Sequence, residues 1–115
     1  MAIYQYIIMI SAVPGRLEEF DTWYDNVHLR DVTAVPGVKS AKRYRLVKGL
    51  GPNYEEEPPP WSSLAIYELD TDDPVALARK IRELSGTPAM TMSDSVNKTG
   101  MMKILGEFTA EMPKK

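Results

Sequence analysis

The chain has 115 residues, of which 43% are hydrophobic and 26% charged, with a net charge of −2. That length predicts one domain, residues 1–115, able to bury a core without metal or disulfide staples, and its charge balance lacks the basic excess of a nucleic-acid-binding domain. The absence of cysteine removes disulfides, thiolate catalysis and cysteine-ligated metals together, and fits a reducing compartment.

Residues 2–11, "AIYQYIIMIS", read as a strand. The stretch lacks the basic flank of a signal peptide and is far shorter than the roughly 20 apolar residues that cross a bilayer. No membrane segment and a cytoplasmic location are therefore expected. Ile3, Ile7 and Met9 fall on one parity of this strand, and Tyr4, Tyr6, Ile8 and Ile10 on the other. A strand apolar on both faces is covered on both faces.

"AVPGRLEEF" starts a helix, with Pro14 suited to its first turn and Glu18 and Glu19 to the positive end of its dipole. Leu17, Phe20, Tyr24, Val27 and His28 form one stripe at helical spacing. "VPG" at residues 35–37 ends the segment. Residues 38–47 alternate and read as strand two; residues 48–60 are a long Gly, Pro and acid loop; residues 61–69 are strand three. Asp73 and Pro74 start a second helix as N-cap and first helical residue, with Leu77, Ala78, Ile81 and Leu84 facing inward and Gly86 closing it. Residues 87–100 have no clear period, and residues 101–112 read as strand four.

This order, β-α-β-β-α-β, predicts an α+β, ferredoxin-like fold: a four-stranded antiparallel sheet with two helices on one face. The other face is left bare, although strand one is apolar on both sides. A second copy packed sheet to sheet supplies the missing cover, so a homodimer closing into a barrel is expected.

His28 is the only histidine. Imidazole titrates near neutrality and serves as a general acid or base. Tyr24 lies one turn earlier on the same face, where its hydroxyl would hold a substrate oxygen, and Asp31 would orient the ring through its other nitrogen. Spacing alone also allows a buried imidazole bonded to a backbone carbonyl, or one at the helix C-terminus. Gln5 interrupts an apolar strand centre and needs a partner, from a ligand or a neighbour. Tyr67 shares its face with Ala65 and Ser63, and reads either as pocket or as core. In "KSAKRYR", Arg43 is the candidate for an anionic group; the alternative is an edge strand guarded by charge. Met90 and Met92 would form a lid over an apolar substrate. Three consecutive acids, Glu55–Glu57, read as a solvated loop. One histidine and no cysteine supply no transition-metal ligand set, and no phosphate loop or nucleophile elbow is present. No cofactor is expected.

The run "FDTWYDNVHLRDVTAVPGVKSAKRYRL", with W-Y-x-x-x-H near the end of the first helix and "AVPGV" leading into strand two, resembles the EthD-like branch of the dimeric α+β barrel superfamily. The likeness covers about the first 47 residues; beyond them the element order matches. The resemblance implies that His28 lines a pocket, with Gln5 facing the helices and Tyr4 and Tyr6 facing the dimer side. It implies a cofactor-independent enzyme, a lyase, isomerase, dehydratase or cyclase, in which His28 is the general base on a small hydrophobic molecule of aromatic or polyketide type. A cofactor-free monooxygenase and a non-catalytic accessory or binding protein are the alternatives on the same scaffold.

Overall fold

The structure is a computed structural model and describes residues 2–114. Strand β1 is Ile3–Ala12. Helix α1 spans residues 17–33 and is not uniform: α-helical Leu17–Trp23 and Leu29–Thr33 flank a π turn at Tyr24–His28. Strand β2 is Val38–Arg45, and short strands β3 (Gly49–Leu50) and β4 (Glu56–Glu57) form a small ribbon. Strand β5 is Ser63–Asp70, helix α2 is Pro74–Leu84 and strand β6 is Val96–Glu107.

The four long strands form one antiparallel sheet in the order β2-β5-β1-β6. This is the ferredoxin-like arrangement expected from the element order. The core lies between the helices and one face of the sheet. Tyr6, Ile8 and Ile10 of β1 stand opposite Tyr67, Ala65 and Ser63 of β5, and all six are buried. Phe20, Tyr24 and Val32 of α1 and Leu77 and Ile81 of α2 close over them. The opposite face carries Ile7, Met9, Leu64, Ile66, Met102 and Ile104 in adjacent register, with Met102 and Ile104 exposed.

Local signals explain most boundaries. Asp73 caps α2 by accepting from the Ala76 backbone N–H at 3.0 Å, with Pro74 first in the helix. Gly37 ends the α1–β2 turn at φ +97°, a backbone conformation that favours glycine, and a Cβ there would also press on the end of the Leu77 side chain at 2.9 Å.

Beyond shifts of one or two residues at strand ends, the structure departs from the sequence reading at four places. Pro14 and Gly15 form a turn before α1, and the helix starts at Leu17. The stretch 48–60 contains the β3–β4 ribbon, reversed by a turn in which the Tyr54 N–H bonds Gly51 O and Tyr54 adopts φ 63°. Strand β6 starts at Val96, five residues early, because Gly100 at φ 73° and a register shift opposite β1 break its alternation. It also ends at Glu107, before the apolar residues Phe108 and Met112, both exposed.

Candidate active site

The π turn sets the site. It places Tyr24 and His28 inward together, with Val32 one turn on, and all three are buried. Asp21, on the same helical stripe as Leu17 and Tyr24, is buried with Arg43 bonded to it, while Leu17 is 43% exposed. π turns inside α-helices are found disproportionately at functional sites.

Between α1, α2 and the sheet lies a cavity of about 460 Å³, within the usual range for small-molecule sites. Tyr24, His28 and Val32 form one wall, Tyr6, Ile8 and Tyr67 the sheet side, and Ile81 the α2 side. His28 stacks on Trp23 at 4.6 Å between ring centroids and meets Tyr24 edge-on at 5.1 Å. Trp23 is fixed in turn by its indole N–H, which donates to Thr91 O at 3.2 Å. Tyr67 Oη donates to Tyr24 Oη at 3.3 Å, a long bond that leaves the Tyr24 proton free for another acceptor.

The imidazole is 7% exposed, and its Nδ1 is buried with no hydrogen-bond partner among the described residues. Burial pulls its pKa from 6.5 down to about 4, with the Asp31 charge acting in the opposite direction. At neutral pH the ring is therefore uncharged. Burial also raises the pKa values of Tyr6, Tyr24 and, most strongly, Tyr67, so all three phenols stay protonated and able to donate.

The low His28 pKa has a consequence for stability. The unfolded chain takes up this proton near pH 6.5 and the folded chain only near pH 4, so the unfolded state binds more protons between those values. The stability contribution is fully present above pH 6.5 and is lost as pH falls toward 4, by about 3 kcal/mol in all. Urea unfolding of wild type and His28→Gln at pH 7 and pH 4.5 checks this: the loss between the two pH values is expected to be smaller in the variant. Equal losses would contradict it.

The structure brings His28, Tyr24 and Tyr67 together and leaves three other expected residues elsewhere. Gln5 stands on the opposite sheet face, across from Glu68, because the parity of β1 is reversed from that expected: Tyr6 faces the helices. Apolar residues on both parities of β1 carry no directional signal. The acids Glu68 and Asp70, alternating with buried Tyr67 and Leu69 on β5, held the information that marks the open face. Arg43 is on the helix face but lies behind Tyr24. Its guanidinium bonds Asp21, Asp25 at 2.9 Å and Ser63 Oγ at 2.9 Å, and sits 4.8 Å from the Tyr24 ring centroid. Asp31 makes no hydrogen bond to His28; its carboxylate lies 3.9 Å from Arg30, and it borders a separate small hollow beside Val35 and Met90. Met90 is fully buried core rather than lid, whereas Met92 lines the cavity. The residue missed by sequence reasoning is Tyr6.

Fold and cavity together define a ferredoxin-like α+β protein with an imidazole-lined hollow between helices and sheet. Among solved structures, the chain is similar to an ethyl tert-butyl ether D (EthD) family protein from Bacillus halodurans C-125, at 18% identity, with a TM-score of 0.51 over 95% of this chain and 100% of that one. The two share the EthD-like fold. A hypothetical protein from Pyrococcus horikoshii aligns at 17% identity and a TM-score of 0.36 over 92% of each chain, too divergent in backbone to inform the site. No family model and no curated protein matches the chain. Among the described residues no helix is long and apolar enough to cross a membrane, and no cluster of His, Asp and Glu could hold a metal ion.

Proposed function

We propose that the chain is a cofactor-independent enzyme of the lyase, isomerase, dehydratase or cyclase type, with His28 as general base on a small hydrophobic, aromatic or polyketide-like molecule. The observation that carries this reading is the lone imidazole, which borders a ligand-sized cavity and whose buried Nδ1 has no hydrogen-bond partner among the described residues. An unsatisfied buried polar atom costs about 1–3 kcal/mol, a cost that a bound ligand can offset. In the reaction, His28 takes a proton from a carbon next to a carbonyl. Tyr24 donates to the oxygen on which negative charge develops, and Tyr67, through its bond to Tyr24, holds that phenol in place. The ring's pKa of about 4 reflects its burial. Developing negative charge on the substrate favours the imidazolium and raises the basicity of the ring as the reaction proceeds.

The test uses 1-phenylbutane-1,3-dione in D₂O. Wild-type protein is expected to speed deuterium entry at the carbon between the carbonyls beyond buffer, and His28→Gln to abolish the gain. Oxygen uptake in the same assay would favour a monooxygenase. A binding or accessory role is the second reading, favoured by the lack of any carboxylate bonded to the imidazole to strengthen it as a base; it predicts probe binding without exchange.

The reading includes a homodimer formed through the open sheet face. Ile7, Ile66, Met9 and Leu64 lie side by side there, an apolar surface of the kind that marks interfaces. The radius of gyration of 15.3 Å exceeds the roughly 13 Å of a compact chain this long, and Val47, Leu50, Tyr54, Phe108 and Met112 are exposed. Both features suit a protomer whose ribbon and C-terminal segment embrace a second copy. Sedimentation velocity is expected to find a dimer for wild type and a monomer for Ile66→Glu; a monomeric wild type would contradict the dimer.

A further inference from the structure

The mouth of the His28 cavity carries Arg82 at the end of α2 and Lys98 and Lys103 on β6. A neighbouring cleft of about 290 Å³ shares Tyr6, Arg82 and Lys103 with it and adds Arg79. Among the described residues no Asp or Glu lines either hollow, in a chain where acids outnumber Lys and Arg by 16 to 14. The hollows along the outer side of α1 are of mixed charge, with Glu18, Glu19, Asp21 and Asp25 beside Arg16 and Arg45 in their linings. Among the described residues, none of Arg79, Arg82, Lys98 and Lys103 makes an ion pair, whereas Arg16, Arg43, Arg45 and Lys48 all do.

Like charges gathered around an apolar hollow repel one another, and the low-dielectric walls focus their field into the opening. A ligand of opposite charge relieves that repulsion. We infer that the occupant of the cavity is an amphiphilic anion: an apolar body seated against Ile8, Val32 and Ile81, with an anionic head at the mouth between Arg82 and the two lysines of β6. This rests on the same cavity as the His28 reading and names the class of molecule that fills it. The cations come from two elements, a helix end and an edge strand, so the head is gripped from both sides while the body reaches toward His28 and Tyr24. The same positive field draws the anion in at a rate that falls with salt.

The probes are 8-anilinonaphthalene-1-sulfonate and its uncharged counterpart N-phenyl-1-naphthylamine, titrated by fluorescence into the full chain. Wild type is expected to bind the sulfonate at least about tenfold more tightly than the neutral probe at low salt, the worth of a few rim charges. The advantage is expected to vanish in the Arg82→Gln/Lys103→Gln protein and to shrink in Lys98→Gln/Lys103→Gln, a pair confined to the exposed strand, with affinity for the neutral probe unchanged. Equal binding of the two probes by wild type, or an advantage that survives both double substitutions, overturns the inference. His28→Gln keeps the preference for the sulfonate, so this titration judges the anion seat while deuterium exchange judges the base.

Discussion

In the His28→Gln protein, deuterium exchange into the diketone falls by about 10²–10⁴-fold, the usual contribution of a positioned general base. The size of the drop follows from what else borders the cavity. Among the described residues its other ionisable groups are three protonated phenols and three cations, with no carboxylate; none is a base at neutral pH that could replace the imidazole. Glutamine is close to histidine in length, so the wall next to Trp23 stays filled and the fold is retained. The companion substitution Tyr24→Phe keeps the ring that packs on Phe20 at 5.5 Å and removes only the hydroxyl. Loss of a donor to a developing oxyanion is expected to cost about 10²-fold. Wild-type rates in His28→Gln would contradict the assignment of the base, and wild-type rates in Tyr24→Phe that of the donor.

Arg43→Ala is expected to lower the unfolding free energy by about 3–5 kcal/mol, the range for removing one partner of a buried ion pair. The Arg43 side chain is 4% exposed and the Asp21 carboxylate it meets is 11% exposed. Without Arg43, Asp21 keeps only Arg45 at 2.9 Å, whose side chain is 59% exposed and correspondingly screened. Ser63 Oγ, fully buried, loses its donor as well, and the Phe20 and Tyr24 rings lose the guanidinium packed against them. Arg43→Lys is expected to recover only part of the loss, because an ammonium cannot bond two carboxylates and a hydroxyl in the fixed fork that a guanidinium presents. Urea midpoints for the three proteins measure this; a loss below about 1 kcal/mol in Arg43→Ala would place the network among ordinary surface pairs.

The fold is legible in the sequence because its signals are local and agree with one another. Asp73 and Pro74 mark a helix start by hydrogen-bond chemistry that needs no tertiary contact, and Gly37 marks a turn by its backbone freedom. The alternation in β5 gives its buried face directly, so Tyr67 falls with Ala65 and Ser63 on residue pattern alone. Signals fail where the decisive contact is distant in sequence. The face of β1 depends on its register with β5, and Tyr6 and Gln5 exchange roles if that register slips by one residue. Arg43 reads as an anion clamp until Asp21 and Asp25, 22 and 18 positions away, are seen to occupy it. The π turn is equally hidden: a stripe through Tyr24 and His28 looks the same with or without the extra residue, and only the backbone at Tyr24–His28 reveals it. Of the site, the histidine and the two tyrosines at positions 24 and 67 are readable from residue type and spacing. Tyr6 and the cationic mouth are not, since they are assembled from β1, the end of α2 and β6.

The one imidazole lies shielded beside a hollow, and among the described residues its Nδ1 has no hydrogen-bond partner. Because the chain has a single histidine, its ring protons give one unambiguous signal, and a proton NMR titration of the Cε1–H resonance reads that shielding directly. A midpoint near pH 4 is expected, moving upward when 8-anilinonaphthalene-1-sulfonate fills the cavity. A midpoint near 6.5 that ignores the probe would mean the ring is open to water and apart from any ligand seat, and the catalytic account would fall with it.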